Sequence, residues 1–140
     1  MKESHTEGAR VYAELRGIAR AAEMQELARG TGAEAVISDL SLEFIFGKVW
    51  GRSGLDRKQR SLVTIAVLIT LRHTAELQNH FRIGLTNGLT HAEIEEAIVQ
   101  TAPYAGFPAA WIAARALKNV ERDGKEDVGE NSAGLTQAGI

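Results

Sequence analysis

The chain has 140 residues, 44% of them apolar and 24% charged, with a formal net charge of −2, as expected for one soluble globular domain. The near-neutral charge gives no electrostatic reason to expect a nucleic-acid partner. The sequence contains no cysteine, which excludes disulfides, thiolate metal sites and a dithiol redox centre. The start, MKESHTEGAR, lacks the apolar segment of a secretory signal, so we expect a cytoplasmic protein with no membrane partner.

Helical periodicity and helix-ending glycines divide the chain into about six predicted helices, with no strand pattern and no internal repeat. These helices cover residues 6–30, 33–50, 57–72, 75–86, 91–103 and 109–122. Gly17 is a candidate break within the first helix. We therefore predict an all-α fold in a single helical domain over residues 1–122. Residues 123–140 are rich in glycine and charge and are predicted to form a disordered tail.

Short polar signals predict where several helices begin and end. Asp56 and Thr74 are predicted N-caps, because their side chains can accept a free backbone N–H. Thr90 and Glu93 have the spacing of a capping box, in which side chain and backbone bond reciprocally. The Asn-Gly pair at residues 87–88 is typical of a helix end followed by a turn.

Residues 62–71, LVTIAVLITL, form the longest apolar run of the chain. The run is too short to cross a bilayer, for which about 20 residues are needed. A helix that is apolar on nearly every side is either central in its bundle or buried against another subunit. Together with the alanine-rich last helix, this run argues against a monomer.

Three polar residues after this run share one predicted helix face. Glu76 and His80 are four residues apart, and His73 precedes His80 by seven. An imidazole can act as acid or base while a nearby carboxylate orients it. Two other interpretations stay open: a surface ion pair of small energetic worth, or a zinc or iron site ligated by all three residues.

Two linked segments carry a resemblance to a known family. GKVWGRSGLDRKQRSLVTIAVLITL and ELQNHFRIGLTNGLTHAEIEEAIVQTAPYAGFPAA, within residues 44–118, resemble the carboxymuconolactone decarboxylase family. Its broader superfamily includes the AhpD-like alkylhydroperoxidases. The resemblance implies a helical bundle that assembles into a homo-oligomer, a trimer or hexamer, with sites at or near subunit contacts. It also implies a role in aromatic-compound catabolism, in the β-ketoadipate pathway.

The resemblance separates this chain from the peroxidase branch of that superfamily. In that branch a CxxC motif precedes a helix histidine, which His80 matches here. His73 and Glu76 stand where the two cysteines would be, and Ser61 replaces an acidic residue often found before the apolar run. The dithiol peroxidase reaction is therefore excluded by the residue types.

The resemblance to the decarboxylase branch implies a reaction that needs no cofactor and no metal. A small carboxylated lactone, such as 4-carboxymuconolactone, would lose carbon dioxide and become an enol-lactone. His80 is then the expected acid and base, and Glu76 the residue that orients it. An anionic substrate also requires guanidinium partners. The expected substrate-binding residues are Arg52, Arg57, Arg60, His73, Trp50 and Tyr104, with Arg72 as a further candidate.

Some residues depart from the decarboxylase pattern and leave the substrate open. Gln100 stands where a histidine is expected, Trp111 where a polar residue is expected, and Lys48 where an acidic residue is common. A bulky Trp111 would reshape a nearby pocket. The alternatives are another small lactone, a keto acid or a biosynthetic intermediate, the last handled by a cyclase- or isomerase-like enzyme. A non-catalytic oligomeric binding protein is a further alternative.

Overall fold

The computed structural model describes the backbone of residues 3–137 and the side chains of residues 3–126. Over this backbone the structure is helical and contains no strand, so the all-α prediction is confirmed. The helices are α1 (Glu3–Arg16), α2 (Ile18–Ala28), α3 (Ala33–Leu40), α4 (Arg57–Leu71), α5 (Thr74–Thr86), α6 (His91–Ala105) and α7 (Phe107–Gln137). A π-helical segment, Ser41–Trp50, continues α3. No described helix is both long and apolar enough to cross a membrane.

The chain forms two compact units, Met1–Arg60 and Ser61–Ile140. In the first unit, Gly17 ends α1 with a positive φ of 94° and precedes α2, so the candidate break is confirmed. This break is why seven α-helices are present between residues 3 and 137 instead of about six. The prediction of one domain over residues 1–122 stays a prediction.

Glycines allow α1 to pack directly against the π-helical segment. A Cβ atom on Gly8 would overlap the carbonyl oxygen of Leu42, and one on Gly47 would overlap the carbonyl oxygen of Ser4. Close backbone approach of this kind requires glycine. The π-helical segment buries Leu42, Phe46 and Trp50 at four-residue spacing, and the Phe46 ring lies 4.6 Å from that of Tyr12.

The predicted caps are confirmed at two helix starts and wrong at a third. The Asp56 carboxylate accepts a hydrogen bond of 2.8 Å from the Gln59 backbone N–H. Thr90 and Glu93 form the full capping box at the start of α6. The predicted cap at Thr74 is wrong, because α5 begins at Thr74 and is preceded by His73, which makes no side-chain cap bond. A tight turn after α4 places the helix boundary at His73.

The core of the second unit is formed by α4 to α7. Ile65 and Ile69 of α4, Leu77 and Phe81 of α5, and Ile94 and Ile98 of α6 are buried together with a row of alanines on α7. Those alanines are Ala109, Ala110, Ala113 and Ala116. Because alanine side chains are small, α7 can lie close to α5 and α6, the two helices it packs against.

Helix α4 is buried on one face only within the single chain. Ser61, Ile65 and Ile69 are buried, whereas Val63, Val67 and Leu71 are 51–58% exposed. Of the two predicted alternatives, burial at the centre of its own bundle is not what the single chain shows. Burial of the open face against another subunit stays a prediction.

Helix α7 continues past the predicted end at residue 122. It reaches Gln137, and two ion pairs connect its later turns to the rest of the unit. Asp123 contacts Arg82 of α5 at 3.1 Å, and Glu121 contacts His91 of α6 at 3.1 Å. The predicted boundary at residue 122 excludes Asp123, whose partner Arg82 is 41 residues away in the sequence. The predicted disordered tail covers residues 123–140, of which residues 123–137 belong to α7 and residues 138–140 lie outside the described residues.

Candidate functional site

The α5 helix and the residue directly before it carry the three polar residues on which the predicted site depends. Glu76 lies in the first turn and is exposed, and His73, which directly precedes the helix, is also exposed. His80 lies one turn after Glu76 and is half-buried, with its Nδ1 atom shielded from solvent. The four-residue spacing places Glu76 and His80 on one helix face, whereas His73 lies just outside the helix.

The Glu76 carboxylate is held by a residue that the sequence analysis left out. The Asn79 side-chain amide donates a hydrogen bond of 3.3 Å to Glu76 Oε1. Residues three apart on a helix are neighbours, so the spacing of Asn79 from Glu76 could have indicated this contact. The orienting role of Glu76 toward His80 stays a prediction.

The metal-ligand interpretation of this face has a direct geometric test. Among the described residues, no three histidine, aspartate or glutamate side chains converge closely enough to hold a metal ion. His73, Glu76 and His80 therefore form no ligand cluster in the described part of the chain.

Predicted substrate-binding residues of the first unit are engaged in contacts within the chain. Arg57, the first residue of α4, pairs with Glu14 of α1 at 3.0 Å. Arg60 donates a hydrogen bond of 2.9 Å to the backbone carbonyl of Arg52, which brings these two predicted residues together. Trp50 ends the π-helical segment and is only 5% exposed. The Glu14 contact joins residues 43 apart, so no local spacing could have indicated it.

The end of α6 and the start of α7 form an apolar groove of about 460 Å³. Trp111 lines this groove together with Val99, Pro103 and Phe107. Tyr104, predicted to contact substrate, lies in the last turn of α6 and is 85% exposed. Trp111, which departs from the family pattern, therefore shapes a surface groove of the second unit.

Ser61 has a structural contact that explains how a serine fits where an acidic residue is often found. Its side chain is fully buried, and its hydroxyl oxygen accepts a hydrogen bond of 2.9 Å from the Asn87 side chain. Asn87 belongs to the Asn-Gly turn after α5, in which Gly88 has a φ of 98°. The serine thus ties α4 to the end of α5.

Three known proteins are similar to this chain. A 4-carboxymuconolactone decarboxylase of Acinetobacter baylyi is 45% identical over 80 residues, covering 57% of this chain and 60% of that protein. A nitrosuccinic acid decarboxylase of Metarhizium robertsii is 46% identical over 70 residues, which cover 50% of this chain and 49% of that protein. An uncharacterized 15.0 kDa protein of Paracoccus denitrificans is 36% identical over 88 residues, which cover 61% of this chain and 66% of that protein. In each case less than two thirds of the relative is matched.

The sequence model of the carboxymuconolactone decarboxylase family also matches this chain. It matches residues 37–119, which contain the π-helical segment and the whole of α4, α5 and α6. The predicted region of resemblance, residues 44–118, lies within this match. Since the match extends over more than half of the 140 residues of this chain, the chain belongs to the carboxymuconolactone decarboxylase family.

Proposed function

We propose that this chain is a carboxy-lyase that decarboxylates a small carboxylated lactone such as 4-carboxymuconolactone to the enol-lactone and carbon dioxide. The observation that carries the proposal is the 45% identity, over 80 residues, to an enzyme named for that reaction. Family membership over residues 37–119 supports it, because that region contains His80 and Glu76.

The proposed decarboxylation can be catalysed by amino-acid side chains alone, because the substrate itself accepts the electron pair. The bond between the ring carbon and the departing carboxylate breaks, and its electron pair moves through the conjugated C=C bond onto the carbonyl oxygen of the lactone. The resulting enolate then takes a proton at the ring carbon beside the lactone carbonyl, which gives the enol-lactone. Electrons and atoms balance without an oxidant or reductant. The protein must bind the substrate, stabilise the oxyanion and deliver one proton.

His80 is the proposed proton donor, because a histidine can carry a proton near neutral pH. Its Nδ1 atom is shielded from solvent, so the Nε2 edge of the ring is the proposed contact with substrate. Glu76 is the proposed orienting residue, one turn earlier on the same face. Its carboxylate already accepts a hydrogen bond from Asn79, which limits the positions it can adopt.

The proposed substrate is a dicarboxylate. 4-Carboxymuconolactone carries two carboxylates, of which one is lost and one is retained. Proposed partners for these anions are the side chains of Arg52, Arg57, Arg60 and His73, with Trp50 and Tyr104 against the ring. Arg57 is already paired with Glu14 at 3.0 Å, so binding there requires exchange of that partner.

A second candidate substrate is a nitro dicarboxylate. It is favoured by the 46% identity, over 70 residues, to a nitrosuccinic acid decarboxylase. In such a reaction the carboxylate leaves from the carbon that bears the nitro group. The electron pair moves onto a nitro oxygen, and the same carbon is then protonated. Both candidates share a retained carboxylate and an oxygen-centred electron acceptor, so the same groups on the protein could support either reaction.

The assembly, location and pathway are also part of the proposal. We propose a homo-oligomer, a trimer or hexamer, because Val63, Val67 and Leu71 leave an apolar face of α4 exposed in the single chain. A cytoplasmic location and a role in the β-ketoadipate pathway of aromatic-compound catabolism follow from the proposed substrate.

The test is a decarboxylation assay on both candidate substrates. Loss of 4-carboxymuconolactone absorbance, and carbon dioxide release from nitrosuccinate, are followed for the wild type, His80→Ala, Glu76→Gln and the control His91→Ala. His91 begins α6, is exposed and pairs with Glu121 of α7 at 3.1 Å. We expect His80→Ala to lose about 10²- to 10⁴-fold in kcat, the usual contribution of a general acid, and His91→Ala to keep the wild-type rate.

The possible results separate the alternatives. If His80→Ala keeps its assembly and retains wild-type kcat, His80 is not the proton donor. If neither substrate releases carbon dioxide with the wild type, the proposed reaction is wrong, which favours another substrate or a non-catalytic binding protein.

A further inference from the structure

The corner between α4 and α5 contains a strained residue. Arg72 has a φ of 57°, in the left-handed region that residues with a Cβ rarely adopt. Its N–H donates to the Ile69 carbonyl at 3.1 Å, and the His73 N–H donates to the Leu68 carbonyl at 3.3 Å. These two bonds close the helix in a Schellman motif, with Arg72 at the left-handed position.

Within the described backbone, every other residue with a positive φ is a glycine. Among residues 3–137 the other positive φ values belong to Gly17, Gly32, Gly88 and Gly106. The closest comparison is the end of α5, where the Leu89 N–H donates to the Gly84 carbonyl at 2.9 Å and Gly88 takes the left-handed position. Glycine at residue 72 would close the same turn without strain, because it has no Cβ. Residues with a strained backbone of this kind cluster at functional sites, so the strain at Arg72 points to a function of its side chain.

The Arg72 side chain also has no role in holding the fold. It is exposed, and its guanidinium makes no ion pair or hydrogen bond with any described side chain or backbone group. Two other candidate arginines differ in this respect. Arg57 pairs with Glu14 and Arg60 is bonded to the carbonyl of Arg52. Arg72 therefore offers its planar donors to a carboxylate without breaking a contact within the chain.

Arg72 lies at the corner that leads into α5, directly after the last residue of α4. It directly precedes His73 and lies two residues before the start of α5, the helix that carries Glu76 and His80. We propose that Arg72 binds the retained carboxylate of the dicarboxylate substrate and so orients it toward His80. This inference rests on the proposed function for the identity of the substrate. Arg72 is a substrate-binding residue in this scheme, and His80 remains the proton donor.

The test separates the guanidinium from the backbone strain. Arg72→Ala removes the guanidinium and keeps a Cβ at the left-handed position, whereas Arg72→Gly removes both. Arg72→Lys keeps the positive charge but lacks the planar guanidinium that can donate two parallel hydrogen bonds to a carboxylate. Arg20→Ala is the matched control, because Arg20 is exposed on α2 and its guanidinium likewise makes no ion pair or hydrogen bond with the described residues. Succinate, an unreactive dicarboxylate, serves as the binding probe at constant ionic strength.

We expect succinate to shift the Arg72 Nε–H signal in NMR spectra of the wild type. Arg72→Ala and Arg72→Gly should weaken succinate binding, and raise the KM for 4-carboxymuconolactone, by about 10- to 100-fold, the usual effect of a lost charged hydrogen bond. Their kcat should change much less, Arg72→Lys should lie between them and the wild type, and Arg20→Ala should match the wild type. Arg72→Gly should also melt at a higher temperature than Arg72→Ala.

Two results would overturn the inference: no succinate effect at Arg72 in the wild type, or unchanged succinate affinity and KM in both Arg72→Ala and Arg72→Gly. Failure of the proposed reaction has a different signature. In that case the wild type binds succinate through Arg72 but releases no carbon dioxide from either substrate. This result would support carboxylate binding at Arg72 and refute the proposed decarboxylation.

Discussion

The contact between α1 and the π-helical segment predicts a strong effect of one methyl group. In Gly8→Ala the added Cβ would overlap the Leu42 carbonyl oxygen and lie 2.7 Å from the Leu42 carbonyl carbon and 3.1 Å from the Gly47 nitrogen. All three atoms belong to backbone, so no side-chain rotation can relieve the overlap. The helices must separate, and overpacking of this kind costs up to about 3 kcal/mol. Alanine recovers about 1 kcal/mol through its higher helix propensity. We therefore expect a net loss of about 2 kcal/mol in the free energy of unfolding.

The assay is thermal and urea unfolding at a fixed protein concentration, because assembly makes stability depend on concentration. A loss of about 2 kcal/mol should lower Tm by about 8 °C in a chain of this size. Gly124→Ala is the matched control. Gly124 lies in α7 with nothing within 4 Å of its added Cβ, so alanine should stabilise by up to about 1 kcal/mol through propensity. Unfolding of Gly8→Ala at or above the wild-type midpoint would refute the close backbone contact.

Two further substitutions test the second unit. Thr90→Ala should cost about 1 kcal/mol in urea unfolding, because it removes the 3.1 Å bond to the Glu93 N–H, and Thr90→Ser should restore most of the loss. Val67→Glu places a charge on the exposed face of α4 and should reduce the assembly mass measured by light scattering, whereas Ala22→Glu on exposed α2 should not. An unchanged mass for Val67→Glu would contradict the proposed use of that face between subunits.

The candidate site was predictable from sequence only where its contacts are local. The common face of Glu76 and His80 follows from helical spacing, and the bond from Asn79 to Glu76 follows the same rule. The pair formed by Arg57 and Glu14 does not, because 43 residues separate its members. The roles of His80, Glu76 and the arginines in binding and catalysis stay predictions that the variants above can decide.

The conformation of Arg72 shows a different limit of sequence reasoning. Left-handed corners are predicted from glycine, which correctly indicated the turn at Gly88. An arginine gives no such signal, so the sequence placed the helix boundary at the wrong residue and predicted a cap at Thr74. The turn is nevertheless formed, because α4 and α5 are both anchored in the core through Ile69 and Leu77.

The sequence by itself determined the all-α class, most helix positions, the caps at Asp56 and Thr90, and the family. These features depend on residues within a few positions of each other or on an ordered series of motifs. Only the tertiary structure decided which face of α4 is buried, why Gly8 must be glycine, and how α7 extends past residue 122. Each of these depends on atoms brought together from distant parts of the chain, and no local pattern encodes such distances.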